Sequence, residues 1–208
     1  MKKLLISCFL LFFILYSAVA QDPDIEGNLA TAKSAYNSGN YEEARFTLQQ
    51  TLSDLNQIIG EEIQKLLPDE MGGLPAYQEA DEMISNTGAG MGIVVNRTYQ
   101  NPDQPDKSVE VSIVDHSPMI AMVNTFLSSP MLSGMMMASS GQKAVKIKGY
   151  KGMLEKNVDE DSHIISYTIN VPFGDSLLTI ETNSFDSEKE VIAMSNTIPL
   201  DQIVKLVQ

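Results

Sequence analysis

The spacing of apolar residues changes along the chain. From residue 28 to residue 67, apolar side chains recur every three or four positions, whereas from residue 92 to residue 181 they alternate with polar ones. The first pattern is typical of an amphipathic helix, and the second is typical of a strand with one buried face. The chain therefore predicts an α+β protein in which a helical segment precedes a sheet.

The helical segment divides into two helices at the turn sequence Ser38-Gly39-Asn40. Each helix carries an apolar stripe, and we expect the hairpin to dock on the following domain or on a partner. The stripes are Leu29, Ala32 and Tyr36 before the turn, and Ala44, Leu48, Leu52 and Leu55 after it. We expect the second helix to run from Tyr41 to Ile59, and Gly60 to break it before a last segment that ends at Leu67. Residues 22–27 are predicted to form a flexible leader.

The alternating segments predict six or seven strands. They are 92–99, 109–114, 145–148, 150–156, 165–171 and 178–181, with a weaker strand at 77–83. The links between them are mostly of hairpin length, so most pairs should be antiparallel. Residues 187–207 return to helical spacing. The predicted fold is α+β: an N-terminal helical hairpin, then a mainly antiparallel sheet with helices packed on one face.

A methionine-rich segment, DHSPMIAMVNTFLSSPMLSGMMMASSG at 115–141, interrupts the strands. Its repeated Ser-Pro-Met predicts two short helices, because serine caps a helix and proline suits its first position. The methionines fall on apolar stripes, which favours packing against the sheet. Two alternatives remain, a partly exposed surface for a partner or a lipid-like ligand, and a soft-metal site with thioether ligands. Met135, Met136 and Met137 cannot all face inward on a helix.

The first twenty residues have a basic start, a short apolar run and the small-x-small ending Ala18-Val19-Ala20. This pattern is typical of a secretory signal peptide, with cleavage before Gln21. Cleavage would remove Cys8, the only cysteine, and would take the net charge from −13 to −15 by removing two lysines. Such an acidic chain is unsuited to nucleic acid. The sequence has no other long apolar run, so we expect an exported protein, periplasmic or secreted, without a membrane span.

The sequence carries no catalytic motif that we can assign. Asp115, His116 and Ser117 are consecutive, and neighbours along a strand face opposite ways, so they cannot form a catalytic relay among themselves. Ser117 instead suits a helix cap. Arg97 shares a strand face with apolar residues, which predicts a structural ion pair with an acid such as Asp115. We expect a protein that is not an enzyme and needs no cofactor or metal.

Lysines concentrate in one short part of this acidic chain. The patch comprises Lys146, Lys148 and Lys151. These lysines are next to predicted strand residues along the chain, and we expect their side chains to point to solvent. They are a candidate patch for an anionic partner. The alternative is that they keep an exposed strand from pairing with other chains.

Four stretches carry a resemblance to known families. AYNSGNYEEA, at 35–44, resembles the tetratricopeptide signature, over a single hairpin rather than the three or more units of a repeat array. EEARFTLQQTLSDLNQIIGEEIQKLLP, VEVSIVDHSPMI and IKGYKGML together resemble an uncharacterised family of exported bacterial proteins. The order of sheet and helices loosely resembles the Mog1/PsbP-like fold. The implied organisation is a signal peptide at 1–20, a hairpin at 21–68 and an α+β domain at 69–208.

These features predict an exported, non-enzymatic binding protein with a protein partner in the cell envelope. The candidate interaction surface comprises Tyr36 and Tyr41 of the hairpin and Met131, Met135, Met136 and Met137 of the methionine segment. The alternative function is a periplasmic carrier or sensor of a small hydrophobic ligand or soft metal, held at the methionine-rich helices.

Overall fold

The computed structural model describes residues 23–85, 92–129, 131, 134 and 141–208. Five helices are bounded within these ranges: α1 (Ile25–Asn37), α2 (Tyr41–Leu66), α3 (Ile120–Ser128), α4 (Glu188–Ser195) and α5 (Leu200–Val207). The strands are β1 (Glu70–Met71), β2 (Leu74–Pro75), β3 (Glu82–Ser85), β4 (Ile93–Asn101), β5 (Gln104–Asp115), β6 (Lys143–Ile147), β7 (Tyr150–Val158), β8 (Ile165–Phe173) and β9 (Ser176–Asn183).

Seven strands form one antiparallel sheet in the order β3-β4-β5-β9-β8-β7-β6, and β1 and β2 form a separate small hairpin. The pairs β4–β5, β6–β7, β7–β8 and β8–β9 join strands that are consecutive along the chain, and the β5–β9 pair joins the two halves of the sheet. The structure confirms the predicted α+β class and the helical hairpin before the sheet.

The two faces of the sheet follow from strand alternation. On β9, Leu178 and Ile180 point into the main core, which the C-terminal half of α2 and helices α4 and α5 cover. Leu177 points to the opposite face, where it packs with Met153 of β7 against Val123 and Phe126 of α3. Helix α3 therefore lies on the face that strand alternation predicts to be polar, and it covers only part of that face.

The hairpin differs from the prediction at two points. Helix α1 begins at Ile25, inside the predicted leader, because the side chain of Asp24 accepts a hydrogen bond from the Gly27 amide at 2.9 Å. Helix α2 continues through Gly60 to Leu66. A Cβ atom at Gly60 would collide with the Met83 side chain. The glycine thus serves close packing of α2 on β3 and does not break the helix.

The weak strand expected at 77–83 is displaced towards the C-terminus. A 3-10 turn occupies Gln78–Ala80, and the strand itself is Glu82–Ser85 at the edge of the sheet. Ser85 is fixed to α2 because its hydroxyl donates to the Ser53 carbonyl oxygen at 2.7 Å. The edge strand is therefore held by side-chain contacts to the hairpin as well as by β4.

The expectation that the methionines pack in the core is wrong for the three whose surroundings are described. Met119 and Met122 are half-exposed, and Met131 is 78% exposed. Val123 and Phe126 are buried in the contact between α3 and the sheet, and Ile120 and Leu127 pack partly buried beside them. A helix of two turns needs few inward side chains, so the methionines stay outside. Met135, Met136 and Met137 lie outside the described residues.

Arg97 forms a buried ion pair, but with Asp81 and not with Asp115. Its Nε and Nη2 atoms contact the Asp81 carboxylate at 3.1 and 2.5 Å, and its Nη1 donates to the Leu67 carbonyl oxygen at 3.2 Å. The hydrogen bonds to Asp81 raise the pKa of the Arg97 guanidinium. The arginine thus ties the C-terminal end of α2 to the sheet edge.

Candidate functional site

Small residues form the contact between α1 and α2. The buried residues of the contact are Ala32, Ala35, Ala44, Thr47 and Thr51. Small side chains let two helix backbones approach closely, so the larger apolar side chains of both helices are left beside the contact and not within it. Near the N-terminus of α1, the Asn28 side-chain amide donates to the Asp54 carboxylate at 3.0 Å. This hydrogen bond joins α1 to α2 at the end of the hairpin away from the turn.

The large apolar side chains beside this contact share one side of the hairpin. Leu29 and Tyr36 lie two turns apart on α1, while Tyr41, Leu48, Leu52 and Leu55 follow at intervals of seven, four and three on α2. The Tyr36 and Tyr41 rings contact each other with centroids 5.8 Å apart, which places both stripes on the same side. We call these residues the hairpin face. All of them are exposed.

The two predicted stripes divide into buried small residues and exposed large ones. Leu48 and Leu52 are each 50% exposed, whereas Ala32 and Ala44 of the same predicted stripes are buried. Sequence reasoning therefore found Tyr36 and Tyr41 as candidate surface residues and missed the leucines. A second stripe of small residues, one position from the leucines, was the signal that could have identified them.

The hairpin is acidic. Helices α1 and α2 contain Glu26, Glu42, Glu43, Asp54, Glu61 and Glu62 against Lys33, Arg45 and Lys65. Lys65 pairs with Glu62 at 2.8 Å, and this hydrogen bond raises the pKa of the lysine. The two helices thus carry a net negative charge, which favours partners of net positive charge at long range. The charged residues one helical turn from the hairpin face include the basic Lys33 and Arg45 as well as Glu26.

The predicted lysine patch is brought together in part. Lys146 of β6 and Lys151 of β7 are directly opposite in register, and both are exposed. Lys148 lies in the turn between these strands in a left-handed conformation, and its amide donates to Asn196. Like charges in opposed positions are unfavourable without a counter-charge, which an anionic partner would supply. The anionic partner remains a prediction.

The acid, histidine and serine near the end of β5 do not form a relay. Asp115 contacts the His116 ring at 2.9 Å, but Ser176 Oγ donates to Asp115 and not to the imidazole. Elsewhere, burial raises the pKa of the Tyr99 hydroxyl, which lies in the main core. Ser176 therefore does not make the hydrogen bond to a histidine that a catalytic relay needs.

Within the described ranges, no group of three or more histidine, cysteine, aspartate or glutamate residues is placed to hold a metal ion. Of the helices in the same ranges, none is both long enough and apolar enough to cross a bilayer.

No protein-family model matches the chain, and no curated protein matches it. One similar solved structure, from Bacteroides thetaiotaomicron, is 14% identical over 62% of this chain, with a TM-score of 0.35; the chain spans 46% of that structure. Another, the extracellular domain of PknH from Mycobacterium tuberculosis, is 11% identical over 57% of this chain and 68% of its own, with a TM-score of 0.31. At these TM-scores neither likeness bears on fold or function.

Proposed function

We propose that this chain is an exported, non-enzymatic interaction protein whose hairpin face receives an amphipathic helix from a protein partner in the cell envelope. The single observation that carries the proposal is the exposure of the large apolar side chains along both helices of one hairpin. A contiguous apolar surface rimmed by polar residues is typical of a protein interaction site. The secretory pattern of residues 1–20 supports export.

A helix is the occupant that best fits this surface. Two antiparallel helices leave a groove between them, and here apolar side chains line both of its sides. Single tetratricopeptide-like units cannot bury their hydrophobic face alone, and in repeat arrays a neighbouring helix does so. An amphipathic helix presents apolar residues every three or four positions and can fill such a groove.

Charge favours a basic partner over a second copy of this chain. The two hairpin helices carry six acidic and three basic residues, so a partner helix with a net positive charge would be attracted at long range. The chain has a net charge of −13, which becomes −15 after the proposed cleavage. Two such chains repel each other, so self-association would work against this charge.

Two model peptides test the choice of partner. Both are amphipathic helices with the same leucine stripe, flanked by lysines in one and by glutamates in the other. We expect the lysine peptide to bind the mature chain with a dissociation constant on the order of 10 μM or tighter. The glutamate peptide should bind at least about tenfold more weakly at low salt, and the difference should shrink as salt is added.

Phe46 supplies the matched control. It is as exposed as Tyr41, at 65% against 67%, but lies two positions before Leu48 and therefore on another side of α2. A photoreactive amino acid at position 52 should crosslink to the lysine peptide, and the same group at position 46 should not. Equal crosslinking at the two positions would contradict the proposal. A doubled mass in light scattering, lost on Leu52→Gln, would show that the occupant is a second copy instead.

Export is tested separately. We expect the protein recovered from outside the cytoplasm to begin at Gln21, as mass spectrometry of the intact chain would reveal. A chain that retains residues 1–20, or one that stays in the cytoplasm, would overturn the export part of the proposal and leave the hairpin part standing.

A further inference from the structure

The open face of the sheet, opposite the main core, contains a cleft of about 310 Å³. Its floor crosses the four strands β4, β5, β9 and β8, and Ser117 and Met119, just before α3, form one wall. The cleft is far from the hairpin face in the fold, since α2 covers the opposite side of the sheet. Ligand binding in the cleft is therefore independent of the hairpin face.

The floor of the cleft is graded in three rows that run across the strands. The row beside Met119 is apolar: Val94, Val114 and Leu177 are opposed in register. The middle row carries amides and hydroxyls: Asn96, Ser112, Thr179 and Asn170. The last row is acidic: Glu110, Glu181 and Thr168. From the apolar to the acidic row is four residues along β5, about 14 Å at the rise of an antiparallel strand.

The acidic row lacks a counter-charge of its own. Glu110 of β5 and Glu181 of β9 are directly opposite, and both are exposed. Like charges in opposed positions on adjacent strands destabilise a sheet. None of the ion pairs found in the described ranges involves either glutamate, and no lysine or arginine lines the cleft.

The middle row adds an acceptor that has no donor. The Oδ1 atom of Asn96 is buried and makes no hydrogen bond. In the same row, the Oδ1 atom of Asn170 does have a donor, because the Thr179 hydroxyl donates to it at 2.9 Å. The cleft therefore offers negative charge at one end, hydrogen-bonding side chains in the middle and hydrocarbon at the other end.

We propose that this cleft binds a small organic cation with an aliphatic body. The ammonium or guanidinium group would lie between the carboxylates of Glu110 and Glu181, and the hydrocarbon would extend over the middle row to Val114, Leu177 and Met119. The cation would neutralise the opposed glutamates, and the aliphatic body would bury the apolar row. This assigns a role to Met119 that neither metal binding nor core packing requires.

Octylammonium is a suitable probe, because its chain approaches the length of the floor. We expect it to bind with a dissociation constant on the order of 0.1–1 mM, as befits a ligand with few atoms. Amide resonances of β5 and β9 should shift in a titration followed by NMR, whereas those of the hairpin should not. Octanoate, with the same chain and the opposite charge, should bind at least about tenfold more weakly.

A free amine and a lysine side chain of another protein share this chemistry, and the probes separate them. N-acetyl-lysine amide carries the ammonium group on a short stem that cannot reach the apolar row. We expect it to bind at least about tenfold more weakly than octylammonium. Equal binding would mean that the acidic row acts alone on protein side chains, and would overturn the small-molecule proposal.

Variants complete the test. Glu110→Gln with Glu181→Gln should reduce octylammonium binding at least about tenfold while the free protein stays folded, since the change removes a repulsion. Glu155→Gln is the matched control, because Glu155 lies opposite Thr168 in the same row but outside the cleft. The proposal fails if octanoate binds as well as octylammonium, if the double variant binds normally, or if Glu155→Gln loses as much.

Discussion

The two halves of α2 carry apolar residues at the same spacing but have opposite environments. In the C-terminal half, Gly60 and Ile63 are buried against the sheet, and Leu67 follows them into the core. In the N-terminal half, Leu48 and Leu52 are each 50% exposed, although small residues of the same turns are buried against α1. One continuous helix therefore passes from core to surface without a change in its hydrophobic pattern.

This difference shows what the fold itself requires. The sheet supplies a partner for the C-terminal half, and the small-residue contact with α1 needs only Ala44, Thr47 and Thr51 from the N-terminal half. The leucines of the N-terminal half add little to either contact. The proposed function assigns them to binding outside this chain.

The largest effect is expected at the anchor of the C-terminal half. Arg97→Ala leaves the carboxylate of Asp81 without its partner in a site where both side chains are nearly buried. Breaking such a pair costs about 3–5 kcal/mol of unfolding free energy. Urea denaturation measures the loss. Arg45→Ala, at an exposed arginine of the N-terminal half, should cost less than about 0.5 kcal/mol.

Ile63 tests burial directly. Its side chain is fully enclosed by the main core. Ile63→Ala should lower the unfolding free energy by about 2–5 kcal/mol, the cost of lost burial plus a cavity. The same truncation at Leu52, in the other half of the helix, should cost less than about 0.5 kcal/mol. Similar losses at the two positions, measured by the same denaturation, would abolish the contrast between the halves.

Gly60 gives a smaller and less obvious effect. Alanine normally favours a helix over glycine by about 1 kcal/mol. Here its Cβ would collide with Met83, so Gly60→Ala should destabilise the protein by about 1–3 kcal/mol, as overpacking does. The penalty should shrink when Met83→Ala is also present. A stabilised single variant in thermal denaturation would show that the contact with β3 is loose.

The sequence predicted the class of fold because alternation and helical spacing are local signals. Six strands of the large sheet, the helical hairpin and the C-terminal helices lie where those signals place them. Two errors have a common cause. Gly60 was taken for a helix break and Asp115 for the partner of Arg97. The residues that decide these contacts are Met83 of β3, a short edge strand with weak alternation, and Asp81, which directly precedes it. Tertiary packing overrode local propensity at these points.

The candidate sites depended still more on tertiary structure. Tyr36 and Tyr41 were recognisable as exposed aromatics at a turn, but the leucines of the hairpin face look identical in sequence to core leucines. The cleft was not predicted at all, because opposed glutamates on β5 and β9 are 71 positions apart and meet only through strand register. Periodicity shows which face of an element a residue occupies, and it does not show whether that face is covered.

The contribution of the hairpin face can be isolated in one measurement on the double variant Leu48→Gln with Leu52→Gln. Its unfolding free energy and its affinity for the lysine-flanked peptide are determined together, with Phe46→Gln as the control. We expect the free energy of unfolding to change by less than about 0.5 kcal/mol, and the affinity for the lysine-flanked peptide to fall at least about tenfold. A loss of stability of about 2 kcal/mol or more, with affinity unchanged, would place these leucines in the folding core and contradict the account.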